Sequence, residues 1–109
     1  MDELPDDAFV VRGGRNLPDD IRRGMGTHPS GVTGASVESA AEFTVAELAA
    51  NIPHCQMGVT TVGEVRKLGG NVIPTSGRSP QHATLTGLNP DQMSSLLMPA
   101  IINSFRKRD

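Results

Sequence analysis

Tyrosine and tryptophan are missing from this 109-residue chain, which has three phenylalanines and a single cysteine. Without Tyr or Trp, no basic and aromatic surface of the kind that stacks single-stranded nucleic acid can be assembled. The core must come from Val, Leu, Ile, Ala and Met. Cys55 has no second cysteine to pair with, which excludes an internal disulfide and the usual Cys/His zinc spacings. Its neighbour His54 raises the idea of a thiol nucleophile, but adjacent side chains point apart, and a half-buried structural cysteine is the plainer reading.

Other absences narrow the chemistry. No apolar run reaches the length of a membrane span, and membrane insertion by this domain is not expected. The GxxxxGK, GxGxxG, HExxH and GxSxG patterns are all missing. No cluster of acidic or Cys/His ligands announces a metal, so neither metal nor cofactor is expected. The opening residues, Met1 to Asp7, are acidic and carry no signal-peptide pattern, so the chain either stays in the cytoplasm or is carried out by something else.

What is present fits one domain over residues 1–109, with 1–7 as an acidic, flexible lead-in and 100–109 as a tail. Net charge is −2, but the acids crowd the first twenty residues, and bases outnumber acids from Arg22 to Arg108. A surplus that small allows contact with a few phosphates rather than a general nucleic-acid coat. Arg106-Lys107-Arg108 reads as a solvated terminus.

Three helices are marked by their caps. Thr44-Val45-Ala46-Glu47 has the capping-box form, followed by Leu48, Ala49 and Ile52 at helical spacing up to Pro53. Thr61-Val62-Gly63-Glu64 repeats the form and ends at Gly69-Gly70. Asn89-Pro90 opens a third, with Met93, Leu96 and Leu97 on its apolar face. A short helical turn around Pro18–Arg23 is a further possibility. Strands are expected at Ala8–Arg12, Gly31–Ser39, Asn71–Thr75 and His82–Leu88, the last two as a hairpin with a long loop. This predicts an α+β domain, with a small, mainly antiparallel sheet of about four strands packed against three helices.

Chemistry concentrates at Arg78–Thr86. Period two puts His82, Thr84 and Thr86 on one face of a strand, opposite Ala83 and Leu85. A histidine flanked by hydroxyls on a solvated face suits acid–base work on a phosphodiester, with threonines on the non-bridging oxygens and Arg78 neutralising charge. The same pattern also describes an ordinary polar outer face of an edge hairpin. Arg12-Gly13-Gly14-Arg15 ends the first strand with arginines and glycines that let an anion approach the backbone, and it equally fits a plain strand-to-turn transition. Thr61 opens a helix whose free N–H groups favour an anion, and its simpler role is the cap itself. His28 and His54 could supply a second acid or base, or stand as solvated loop residues.

At Val11-Arg12-Gly13-Gly14, Val45–Ala49, Thr61–Arg66 and Pro80–Leu85 the chain resembles a group of small bacterial domains. These form the carboxy-terminal modules of Rhs-repeat and contact-dependent-inhibition polymorphic toxins. The resemblance runs from Val10 to about Leu97. It implies delivery by a large carrier polypeptide, action in the cytoplasm of a rival bacterium, and neutralisation by a cognate immunity protein. Modules of this kind are frequently metal-independent ribonucleases that cleave transfer RNA, others being deaminases, DNases or ADP-ribosyltransferases. The expected activity is a metal-independent endoribonuclease that cleaves RNA. On that reading His82, Thr84 and Arg12 are catalytic, and Arg78, Thr61, Arg15 and Thr86 bind substrate. The acidic balance departs from the basic character common among such ribonucleases. Two alternatives stand beside it. One is an ADP-ribosyltransferase using NAD, with Arg12 on the pyrophosphate and Ser36 or Ser39 at the ribose. The other is a non-enzymatic immunity or adaptor module.

Overall fold

A computed structural model describes residues 3–77 and 79–106. Along the chain run β1 (Phe9–Gly13), α1 (Pro18–Gly24), β2 (Gly26–Thr27), β3 (Thr33–Glu38), α2 (Val45–Ala49), β4 (Gln56–Thr61), α3 (Val62–Lys67), β5 (Asn71–Pro74), β6 (His82–Thr86), α4 (Pro90–Leu97) and β7 (Ile101–Ile102). The strands form one antiparallel sheet in the order β5-β6-β3-β1-β4-β7, with β2 added to β3.

The class is α+β, but the expected size is corrected: seven strands stand where about four were predicted, and four helices where three were, among the described residues. The additional strands escape the sequence pattern for two reasons. β2 and β7 have two residues each, too few to show a period. β4 carries Gly58 in its middle, which weakens a strand pattern, and it runs into α3 with no loop between them. Thr61 therefore ends one element and caps the next, its hydroxyl accepting from the Glu64 N–H at 3.3 Å.

The caps form as their residues dictate. Thr44 and Glu47 bond reciprocally at 3.1 and 2.9 Å, and Asn89 and Gln92 do the same at 2.8 and 3.0 Å, satisfying first-turn N–H groups. α2 is shorter than the pattern to Ile52 suggested. The residue before a proline is pushed out of the helical region, and the chain leaves α2 through two tight turns before Pro53. Ile52 nevertheless stays buried in the cluster α2 builds.

Both faces of the sheet are used. Val10, Ala35, Val37, Val72, Ala83 and Leu85 face the core completed by Ile21 of α1, Val65 of α3 and Met93 and Leu97 of α4. On the other face Val11 and Met57 pack against Leu48, Ala49 and Ile52. That small helix covers the β1–β4 side only. The β3–β6 side of the face is left for the loops around it.

The first and last described segments are tied in. Leu4 is buried in the larger core, and the Asp6 carboxylate accepts from Arg66 at 2.5 Å. Asn103 is buried, and its amide nitrogen reaches the carbonyls of Ala49, Ile52 and His54, each at 3.2 Å. The segment after β7 thus holds the loop that carries His54. No helix among the described residues is long and apolar enough to cross a membrane.

Candidate active site

β1 and β3 share one registered pair, Val11 with Glu38. Elsewhere β1 pairs with β4 and β3 pairs with β6. Past Val11 the two strands part, and a cleft of about 740 Å³ opens there. It is bounded by Arg12 and Gly13, by Ser36 and Glu38, by the loop from Ala50 to His54, and by the turns around His28 and Ser79. All three histidines of the chain, His28, His54 and His82, line it.

They are not equivalent. The N–H of Ser30 donates to Nδ1 of His28 at 3.0 Å, while Nε2 lies 2.9 Å from the Ser76 carbonyl. An amide can only donate and a carbonyl only accept, so His28 carries its proton on Nε2 and both ring nitrogens are committed to backbone. It ties two loops together and stacks on His82, ring centroids 5.6 Å apart. His28 is a positioning residue.

His82 contacts Thr75 through Nδ1 at 2.9 Å, and the Thr75 hydroxyl meets that of Thr84 at 3.0 Å. Nε2 of His82 has no partner among the described residues. Directly opposite on β3 stands Glu38. Facing residues on neighbouring antiparallel strands have Cβ atoms about 4.5–5.5 Å apart, so carboxylate and imidazole share one patch of the cleft. Oε1 of Glu38 accepts from the Ser79 hydroxyl at 2.5 Å and from Asn51 at 3.4 Å, which leaves Oε2 unengaged among the described residues.

Arg12 enters from the end of β1. Its Nη1 donates to Asn16 Oδ1 at 2.9 Å. Asn16 is fully buried at φ 60°, in the left-handed region that Asn tolerates better than most residues. Its own amide returns to the Arg12 and Gly14 carbonyls. Nε of Arg12 is buried with no partner among the described residues. Burial pushes the guanidinium below its ordinary pKa, with Asp20 opposing that shift, and an arginine stays charged regardless. Two glycines make room for the site. A Cβ at Gly13 would collide with the His54 ring, and one at Gly24 would meet Nη2 of Arg12.

The expected site residues fare unevenly. His82 and Arg12 come to one cleft. Thr84, expected on an open face, is buried, with its hydroxyl against that of Thr75. It supports His82 through Thr75 rather than meeting a ligand. Thr61 lies at the Phe9 end of the β1–β4 ladder, away from Arg12, and acts as a cap. Thr86 donates to the Thr33 carbonyl and does not line the cleft. Arg15 lines a neighbouring hollow. Arg78 lies outside the described residues. Cys55, read as half-buried, is exposed. Of the two serines weighed for a ribose, Ser36 lines the cleft, while Ser39 is buried on the Phe9 carbonyl.

Sequence reasoning missed Glu38, a strand-end carboxylate whose partner is fixed by the register between β3 and β6. Among the described residues no three His, Cys, Asp or Glu side chains converge as metal ligands. Compared with protein-family models, curated proteins and solved structures, the chain matches none.

Proposed function

We propose that this chain is an RNA-cleaving toxin domain whose cleft carries out acid–base transesterification without a metal. The observation that carries the reading is the facing pair Glu38 and His82, with Arg12 lining the same cleft. The ionised Glu38 carboxylate takes the proton of a ribose 2′-hydroxyl, whose oxygen attacks the adjacent phosphorus. The P–O5′ bond breaks, and protonated His82 gives its proton to the departing oxygen. The products are a 2′,3′-cyclic phosphate and a free 5′-hydroxyl. Arg12 balances the charge that builds on the non-bridging oxygens, where fixed donors are most effective. His54, whose ring has no partner among the described residues, stands ready to contact the ribose or the phosphate.

The delivery context belongs to the same proposal and is supported by the toxin resemblance alone: a large carrier, action on RNA such as transfer RNA in a target-cell cytoplasm, and a cognate immunity protein.

A second reading is ADP-ribosyl transfer, favoured by Ser36 and Arg12 lining one cleft with Glu38. Controlled expression in bacteria separates the readings, with total RNA run on gels and protein labelling from NAD followed in parallel. RNA fragments in the wild type that disappear in Glu38→Gln support cleavage. Labelling from NAD with intact RNA supports transfer. Normal growth with neither change favours the non-enzymatic immunity or adaptor module.

A further inference from the structure

Beside the cleft lies a second hollow of about 560 Å³ that shares Arg12, Gly13, Ser36 and His54 with it. The two therefore adjoin across a shared wall. We propose that the second hollow is a flanking phosphate subsite formed by Arg15 and Arg23, so that the substrate is a strand extending past the cleavage point. This rests on the reading of the cleft as RNA-cleaving.

The charge distribution carries the argument. Arg12, Arg15 and Arg23 line this hollow against one acid, Asp20, so it is locally positive in a chain of net charge −2. Arg15 comes from the turn after β1 and Arg23 from the last turn of α1, and their guanidinium groups meet at one Asp20 oxygen, at 3.3 and 2.7 Å. Asp20 is only 18% exposed, whereas Arg15 and Arg23 are 62% and 71% exposed. Each guanidinium has five N–H donors, and Asp20 accepts one from each. Both side chains are largely exposed, so their remaining donors stay open to the phosphate of a strand that continues past Arg12. Asp20 is tied to the Leu17 N–H at 3.3 Å as well, so it fixes the two arginines without filling the hollow.

The test compares a dinucleotide, which ends at the cleft, with an octanucleotide of RNA. In Arg15→Ala/Arg23→Ala the ratio of kcat/KM for octamer over dinucleotide should fall tenfold or more. A parallel measurement follows binding of a fluorescent, uncleavable 2′-O-methyl octamer against salt. The slope of log affinity on log salt should shrink by about 0.7 per arginine removed, the value for single strands. Asp20→Asn, which removes the competing charge and one of the two acceptor oxygens, should bind the octamer more tightly. An unchanged ratio together with an unchanged salt slope would overturn the subsite. If neither substrate is cleaved but the slope and the Asp20→Asn gain are as expected, the subsite stands as a polyanion site and the cleavage reading fails alone.

Discussion

The guanidinium of Arg12 rests against Gly24, where a Cβ would lie 2.5 Å from Nη2. The contact joins the end of β1 to the end of α1. A methyl group there meets the far end of a flexible side chain, which can swing away, and alanine is the better helix former. Gly24→Ala should therefore melt within a few degrees of the wild type. RNA cleavage should fall on the order of tenfold to a hundredfold, as small misplacements of an anchoring group do. Full activity would mean that the guanidinium position does not matter.

Thr75 separates His82 from the buried Thr84 hydroxyl. Thr75→Val removes the group that fixes the imidazole. It should lower kcat while leaving KM nearly unchanged, and cost about 0.5–1.5 kcal/mol of stability. Thr84→Val should show the stability loss with a smaller effect on kcat, since Thr75 still meets the ring. Urea titration and steady-state kinetics on both variants check the order. A rise in KM for Thr84→Val would restore it as a ligand contact.

The apolar faces make a sharper prediction than the sequence allowed. Leu48, Leu85 and Leu97 are essentially inaccessible, while Leu96 is only partly buried against the core. Leu48→Ala, Leu85→Ala and Leu97→Ala should each cost about 2–5 kcal/mol, and Leu96→Ala clearly less. Equal losses at 96 and 97 would contradict the way α4 faces the sheet.

Much of this was written locally in the chain. The Thr44, Thr61 and Asn89 caps, the terminating glycines and the alternation of Ala83 and Leu85 each act within a few residues, so they show in sequence. β4 did not show, because a glycine breaks its pattern and Thr61 belongs to two elements. The site divides the same way. His82 and Arg12 were legible from period two and from a strand end beside glycines. Glu38 was not, because only the register of β3 on β6 sets it against His82. Thr84 was not legible as buried, because it lies on a central strand between Ser36 of β3 and Ile73 of β5, with Thr75 against its hydroxyl.

Acid should weaken the fold through two carboxylates. At Asp20, desolvation acts upward, but the Leu17 N–H, Arg15 and Arg23 outweigh it and hold the group below its ordinary value. Glu47 is held low by hydrogen bonds from Thr44, its backbone N–H first and then its hydroxyl. Groups with depressed folded-state values add stability above their unfolded values, about 3.9 for Asp and 4.3 for Glu, and lose it as pH falls through the folded ones. Melting temperature should therefore drop below about pH 4 in the wild type. In Asp20→Asn/Glu47→Gln it should begin lower and fall less steeply. Parallel curves would show that neither carboxylate is linked to folding.

Single-turnover cleavage in the presence of EDTA decides whether Glu38 and His82 act together on an RNA phosphodiester. The wild type should yield 2′,3′-cyclic phosphate ends at full rate without added metal. His82→Ala should reduce the rate by roughly 10²–10⁴, the contribution of a positioned acid–base group, while its melting curve shows an intact fold. Glu38→Gln should lower the rate by a factor in the same range, roughly 10²–10⁴. Cleavage by folded His82→Ala at the wild-type rate, or a wild type that leaves RNA intact, would contradict the account.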